Sequence, residues 1–106
     1  MVATITQTTK ERVDDALSRL EERWREAVAL SAEWDELDEH DQIDFSAEWP
    51  LTIDALGRVR KLADQGLLDA TQQTEFERIL AYMRAHVDDV AGMITEEYAR
   101  LALPKE

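Results

Sequence analysis

The sequence predicts an all-α protein of three helices, long, short and long, arranged as an antiparallel helical bundle. Three observations carry that prediction. Apolar residues recur at three- and four-residue steps over long stretches. Beyond the first few residues no stretch alternates apolar with polar side chains as a half-buried strand does. Only three glycines and two prolines punctuate the 106 residues.

The first helix is expected from about Thr9 to Glu39. Val13, Leu17, Leu20, Trp24, Ala27, Ser31 and Trp34 fall on one stripe, widened by Val28, Leu30 and Leu37. Thr8 and Glu11 have the spacing of a capping box. His40 to Glu48 reads as a connection, and Pro50 suits a first turn, where its missing N–H has no intrahelical partner. The second helix then spans about Trp49 to Gln65, with Ile53, Leu56, Val59 and Leu62 on one face. Gly66 is the expected left-handed stop, with Leu67 packing back on the last turn. Asp69 and Gln72 form a second capping box and open the third helix. Its stripe of Phe76, Leu80, Met83, Val87, Val90, Ile94 and Leu101 reaches about Ala102, before Pro104. Gly92 is its weak point, costing ~1 kcal/mol relative to Ala, so a bend over Asp88–Gly92 is allowed. Residues 1–8 read as a flexible segment, 9–102 as one helical domain and 103–106 as a tail.

These lengths create a mismatch. The outer helices would be ~45 Å long and the middle one ~25 Å. The short helix would leave Val13, Leu17 and Leu20 uncovered at one pole, and Val87, Val90, Ile94, Tyr98 and Leu101 at the other. Burial of such side chains stabilises by ~1.5–3 kcal/mol each. The favoured expectation is a homodimer that buries these eight residues between two copies. The alternative is a break at Gly92 that folds the last turns back and gives a four-helix monomer.

Charge narrows the functional classes. Twenty-four Asp and Glu oppose twelve Lys and Arg, a formal charge of −12 that argues against nucleic-acid binding. There is no cysteine, which removes thiolate chemistry and Cys-based zinc sites. The Thr-rich start lacks the apolar run of a signal peptide, and no stretch approaches the ~20 apolar residues of a membrane span. A cytoplasmic protein without membrane association is the expectation.

Between Arg25 and Arg58 there is no Lys or Arg but ten carboxylates, too dense to be neutralised within the segment. From these, Glu33, Glu36, Asp38, Glu39, Asp41 and Asp44 are the candidate contacts for a basic protein partner, set against a plain solvated surface. No Ser/His/Asp arrangement, phosphate-binding loop or calcium loop is present, and no catalytic residue, cofactor or metal ligand is assigned. The expected function is a non-enzymatic acidic interaction module of the adaptor, inhibitor or antitoxin kind. One alternative is a carboxylate-metal helical enzyme for a phosphorylated small molecule, with Asp88 and Asp89 joining helix-one acids around Mg²⁺ or Mn²⁺. Another is a structural subunit of a larger assembly.

Overall fold

The computed structural model describes residues 7–104. In chain order the elements are α1 (Gln7–Ser31), one 3₁₀ turn (Trp34–Glu36), α2 (Glu39–Asp64), α3 (Ala70–Ala91) and α4 (Glu96–Arg100). All-helical architecture is as expected, and the helix boundaries differ in ways that have electrostatic causes. Residues 1–6 of the expected flexible segment lie outside the described residues. Gln7 and Thr8 belong to α1, so Thr8 is helical and not a cap.

The first helix ends at Ser31, not Glu39. Continuing it would place Glu33, Asp35 and Glu36 at its C-terminal pole, where the dipole repels negative charge. Instead the chain turns, and Gln42 Nε2 donates to the Trp34 carbonyl at 2.8 Å across the turn. Asp38 then caps α2, its Oδ1 accepting the Asp41 N–H at 2.8 Å. Glu39 and Asp41 fall in the first turn of α2, where the same dipole attracts them.

The second helix is therefore long, 26 residues, and Pro50 sits in its interior. An interior proline deletes one backbone donor and costs about 3 kcal/mol. Opposing that cost, an unbroken α2 carries Trp49, Thr52, Leu56, Val59 and Leu62 into the core, with Phe45 packed against it. The end of α2 is as expected. Gly66 has φ +71°, its N–H donates to the Ala63 carbonyl at 2.9 Å, and Leu67 N–H donates to the Leu62 carbonyl at 3.1 Å. The Asp69–Gln72 capping box is also present. Gln72 is buried, and its Nε2 continues to the Lys10 carbonyl at 3.1 Å and Asp14 Oδ1 at 2.8 Å on α1.

α1 is the spine, with α2 and α3 both packed along it. Gln72 meets Lys10 and Asp14, Arg78 meets Glu21, and Arg25 stacks over Tyr82, so α3 runs in the direction of α1. The third helix breaks at Gly92, the less favoured of the two sequence expectations. Thr95 caps α4 through Oγ1, which accepts the Tyr98 N–H at 3.2 Å, and Ala99 and Ala102 are buried. The molecule measures 53 × 25 × 18 Å with a radius of gyration of 15.1 Å, elongated against ~13 Å for a compact chain of this size. Among the described residues no helix is long and apolar enough to cross a membrane.

These boundaries remove the ground for the expected dimer contact. The three main helices have 25, 26 and 22 residues, so none is too short to cover its neighbours. Val13, Leu17, Leu20, Val87 and Val90 are buried within the chain itself. Ile94 and Tyr98 are half-buried against the same core, and of the eight only Leu101 is exposed, at 54%. The expected tail also differs: Leu103 packs on the core, while residues 105 and 106 lie outside the described residues.

Arg78 fastens α3 to α1. Its Nη1 donates to Glu21 Oε2 at 2.8 Å and its Nη2 to Glu21 Oε1 at 2.9 Å, a fork-to-fork pair, and it also bonds Glu75. Hydrogen bonds from Arg78 hold both carboxyls below the ordinary glutamate range. Folding thus depresses these groups. Their contribution is complete above the unfolded-state value of about 4.3, and it disappears as pH falls through the lower folded values. Arg78→Met is accordingly expected to lower the urea midpoint at neutral pH, and the gap from wild type should narrow as pH falls below that unfolded-state value. A gap that stays constant on acidification contradicts the ionic origin of this contact.

Candidate functional site

The α1–α2 turn builds one end of the molecule from its most acidic segment. There a groove of about 390 Å³ opens between the last turns of α1 and the first half of α2. Its α1 wall is Arg23, Glu26, Ala27 and Leu30, residues at three- and four-residue steps and hence on one helix face. Leu37, Asp41, Asp44, Glu48 and Thr52 repeat that spacing on the other side, with Phe45 and Trp49 beside them. Ala27 and Trp49 are buried and Leu30, Leu37 and Phe45 half-buried, giving an apolar floor. Glu26, Asp41, Asp44 and Glu48 are exposed, giving a rim of four carboxylates with Arg23 as the one lining cation.

Aromatic packing sets the floor. Trp34 meets Phe45 edge-on at 5.6 Å, Phe45 meets Trp49 at 5.7 Å, and Trp49 meets Trp24 edge-on at 5.6 Å. The sequence places Trp34 and Trp49 at the same helical corner, and Phe45 is the residue that connects them. Trp49 also crosses to the other side of the bundle, where its Nε1 donates to the Tyr98 carbonyl of α4 at 2.9 Å. One side chain thus links the groove to the folded-back C-terminal helix.

All six candidate partner contacts are exposed, and they gather at this end of the bundle. Glu33 and Glu36 lie in and beside the 3₁₀ turn, Asp38 is the α2 cap, and Glu39 and Asp41 occupy the first turn. Asp44 lies 3.4 Å from His40 Nε2. Only Asp41 and Asp44 line the groove. Glu26 and Glu48 complete it and were not among the six candidates, although each sits one helical step from a lining residue.

Asp88 and Asp89, the acids considered for a metal-dependent enzyme, engage side chains of their own end of the chain. Asp89 Oδ2 is 3.1 Å from His86 Nδ1, and Asp88 Oδ1 is 3.9 Å from Arg100. Among the described residues no three His, Cys, Asp or Glu side chains are grouped to hold a metal ion. Comparison of the chain with protein-family models, with curated proteins and with solved structures finds no match in any of the three.

The double duty of Trp49 is open to a direct check. Trp49→Phe keeps an aromatic floor and deletes the indole donor, which is expected to destabilise by about 1 kcal/mol. Amide exchange at Ala99, Ala102 and Leu103 should accelerate more than exchange in α1. Unchanged protection in α4 would mean that this bond does not hold the C-terminal helix down.

Proposed function

We propose that this protein is a non-enzymatic interaction module whose acidic end takes a basic, partly apolar segment of a protein partner. The observation that supports this reading is the groove itself: four carboxylates against one arginine, standing over Leu30, Leu37, Phe45 and Trp49. An acidic surface that served solubility alone would have no use for an apolar floor beneath it. A ligand suited to this combination carries Lys or Arg beside a Leu- or Phe-sized side chain. The cations would speed encounter and set orientation, and the apolar side chain would supply most of the retained affinity. Glu33, Glu36, Asp38 and Glu39 lie outside the groove and extend the negative field around it.

A synthetic amphipathic peptide of lysine and leucine is a suitable probe. It is expected to perturb the Trp49 indole resonance and the Leu30 and Leu37 methyl resonances, with affinity falling as salt rises. Asp41→Lys with Asp44→Lys should weaken binding about tenfold, equivalent to ~1.4 kcal/mol. Glu22→Lys with Glu77→Lys makes the same change in net charge at exposed sites elsewhere and should have a much smaller effect. Equal weakening by the two pairs would reduce the groove to general electrostatic attraction and overturn the proposal.

A further inference from the structure

The exposed apolar side chains of α2 gather in a patch beside the acidic groove. Two of the three large hydrophobics exposed among the described residues are Ile43, at 58%, and Leu51, at 48%. They lie on the continuous α2 with exposed Ala47 between them, at successive four-residue steps, so the three form one row about 12 Å long. Exposed Pro50 adjoins the row, three residues after Ala47. It has no N–H to give the Ser46 carbonyl one turn earlier, which leaves a hydrogen-bond acceptor at the patch. Packing within the chain makes no use of this side of α2, whose buried residues Trp49, Thr52, Leu56 and Val59 fall on the opposite one.

The neighbouring rows decide what can cover the patch. His40, Asp44, Glu48 and Thr52 follow one another at four-residue steps, and the last three line the groove. Phe45 and Trp49, one row further round, belong to its floor. Asp44 and Glu48 therefore form a ridge between two apolar strips, one sunk in the groove and one on the open surface. Leu51 lines an adjoining depression that shares Arg23 with the groove, so the two strips meet around the ridge. Glu39 precedes the patch and Asp54 follows it, and α2 has no Lys or Arg before Arg58. A second copy centred on the patch would set carboxylates against carboxylates, and an anionic lipid surface would meet the same repulsion. A cationic protein segment is attracted, with Arg23 alone opposing it.

We propose that the basic segment taken by the groove is a helix that straddles this ridge, with its cations on Asp44 and Glu48 and apolar side chains on both sides of them. The inference rests on the groove reading given above and adds the shape of the partner to it. One apolar strip of the partner enters over Leu37 and Phe45, and the other covers Ile43, Ala47 and Leu51. An extended segment does not suit this surface, because its successive side chains point to opposite faces and it cannot turn three strips the same way. A helix does so through rows at three- and four-residue steps. Along α2 the patch is about two helical turns long, so roughly eight residues of a partner helix lying along it cover it.

Two synthetic helical peptides of equal length, charge and leucine content test the inference by calorimetric titration at a fixed physiological salt concentration. In the first, the leucines lie on one side of the lysine stripe; in the second, they are divided between both sides. The second is expected to bind wild type about fivefold more tightly, and it alone should perturb the Ile43 and Leu51 methyl resonances. Ile43→Gln with Leu51→Gln leaves the net charge unchanged. It should abolish that advantage while keeping affinity for the first peptide within about twofold of wild type. Leu101→Gln, at the exposed leucine outside the patch, should alter neither affinity. Circular dichroism of each variant separates loss of binding from loss of fold. Equal affinity of wild type for the two peptides, or an advantage that survives Ile43→Gln with Leu51→Gln, overturns the inference. If the Trp49 indole resonance still responds in that case, the proposed function stands without it. Binding of neither peptide overturns both.

Discussion

The conflict between carboxylates and a helix C-terminus governs the rest of this structure. Glu33, Asp35 and Glu36 follow directly on an apolar stripe that could extend α1, but there they would meet the negative pole of the helix. Ending α1 at Ser31 and capping a new helix with Asp38 moves the next acids to a positive pole, where they stabilise. The exchange is worth only a few tenths of a kcal/mol to about 1 kcal/mol per charge, yet its geometric consequences are large. It lengthens α2 to match α1, and it puts Glu33, Asp35, Glu36, Asp38, Glu39 and Asp41 at one end of the bundle.

Coverage follows from length. Once α2 spans Glu39–Asp64, it lies along the whole of α1, and α3 lies along the same helix from the other side. After the break at Gly92, α4 accepts the Trp49 indole N–H at the Tyr98 carbonyl and carries Ala99 into the same core, with Ala102 just beyond it. The chain therefore buries its main apolar stripe by itself. The outer α1–α2 seam stays open, with carboxylates standing over the half-buried Leu30, Leu37 and Phe45 at its acidic end.

Much of this fold was legible in the sequence because its signals are local. Gly66 with Leu67, and Asp69 with Gln72, form hydrogen bonds within a few residues of themselves, so spacing alone identifies them. The stripes of α1 and α3 are equally direct, as helix period determines which side chains share a face. Pro50 misled because a proline is best tolerated in a first turn, and the rule cannot register packing by Phe45 and Trp49 that offsets its position mid-helix. The break at Gly92 was visible as an option. Deciding it required Thr95 as a cap and the Trp49 bond to Tyr98, a contact 49 residues apart in sequence. At the candidate site the acidic segment was plain from composition, whereas the groove depended on knowing that α2 begins at Glu39. With that start, Leu37, Asp41, Asp44 and Glu48 fall on one line, and Glu26 faces them from α1.

Backbone ¹³C chemical shifts across Leu30 to Trp49 test the central claim most directly. Helical shifts are expected up to Ser31, then an interruption through Asp38, and helical shifts again from Glu39 onward through Pro50. Uninterrupted helical shifts to Glu39, followed by a non-helical His40–Glu48 segment, would contradict it and would restore a short second helix.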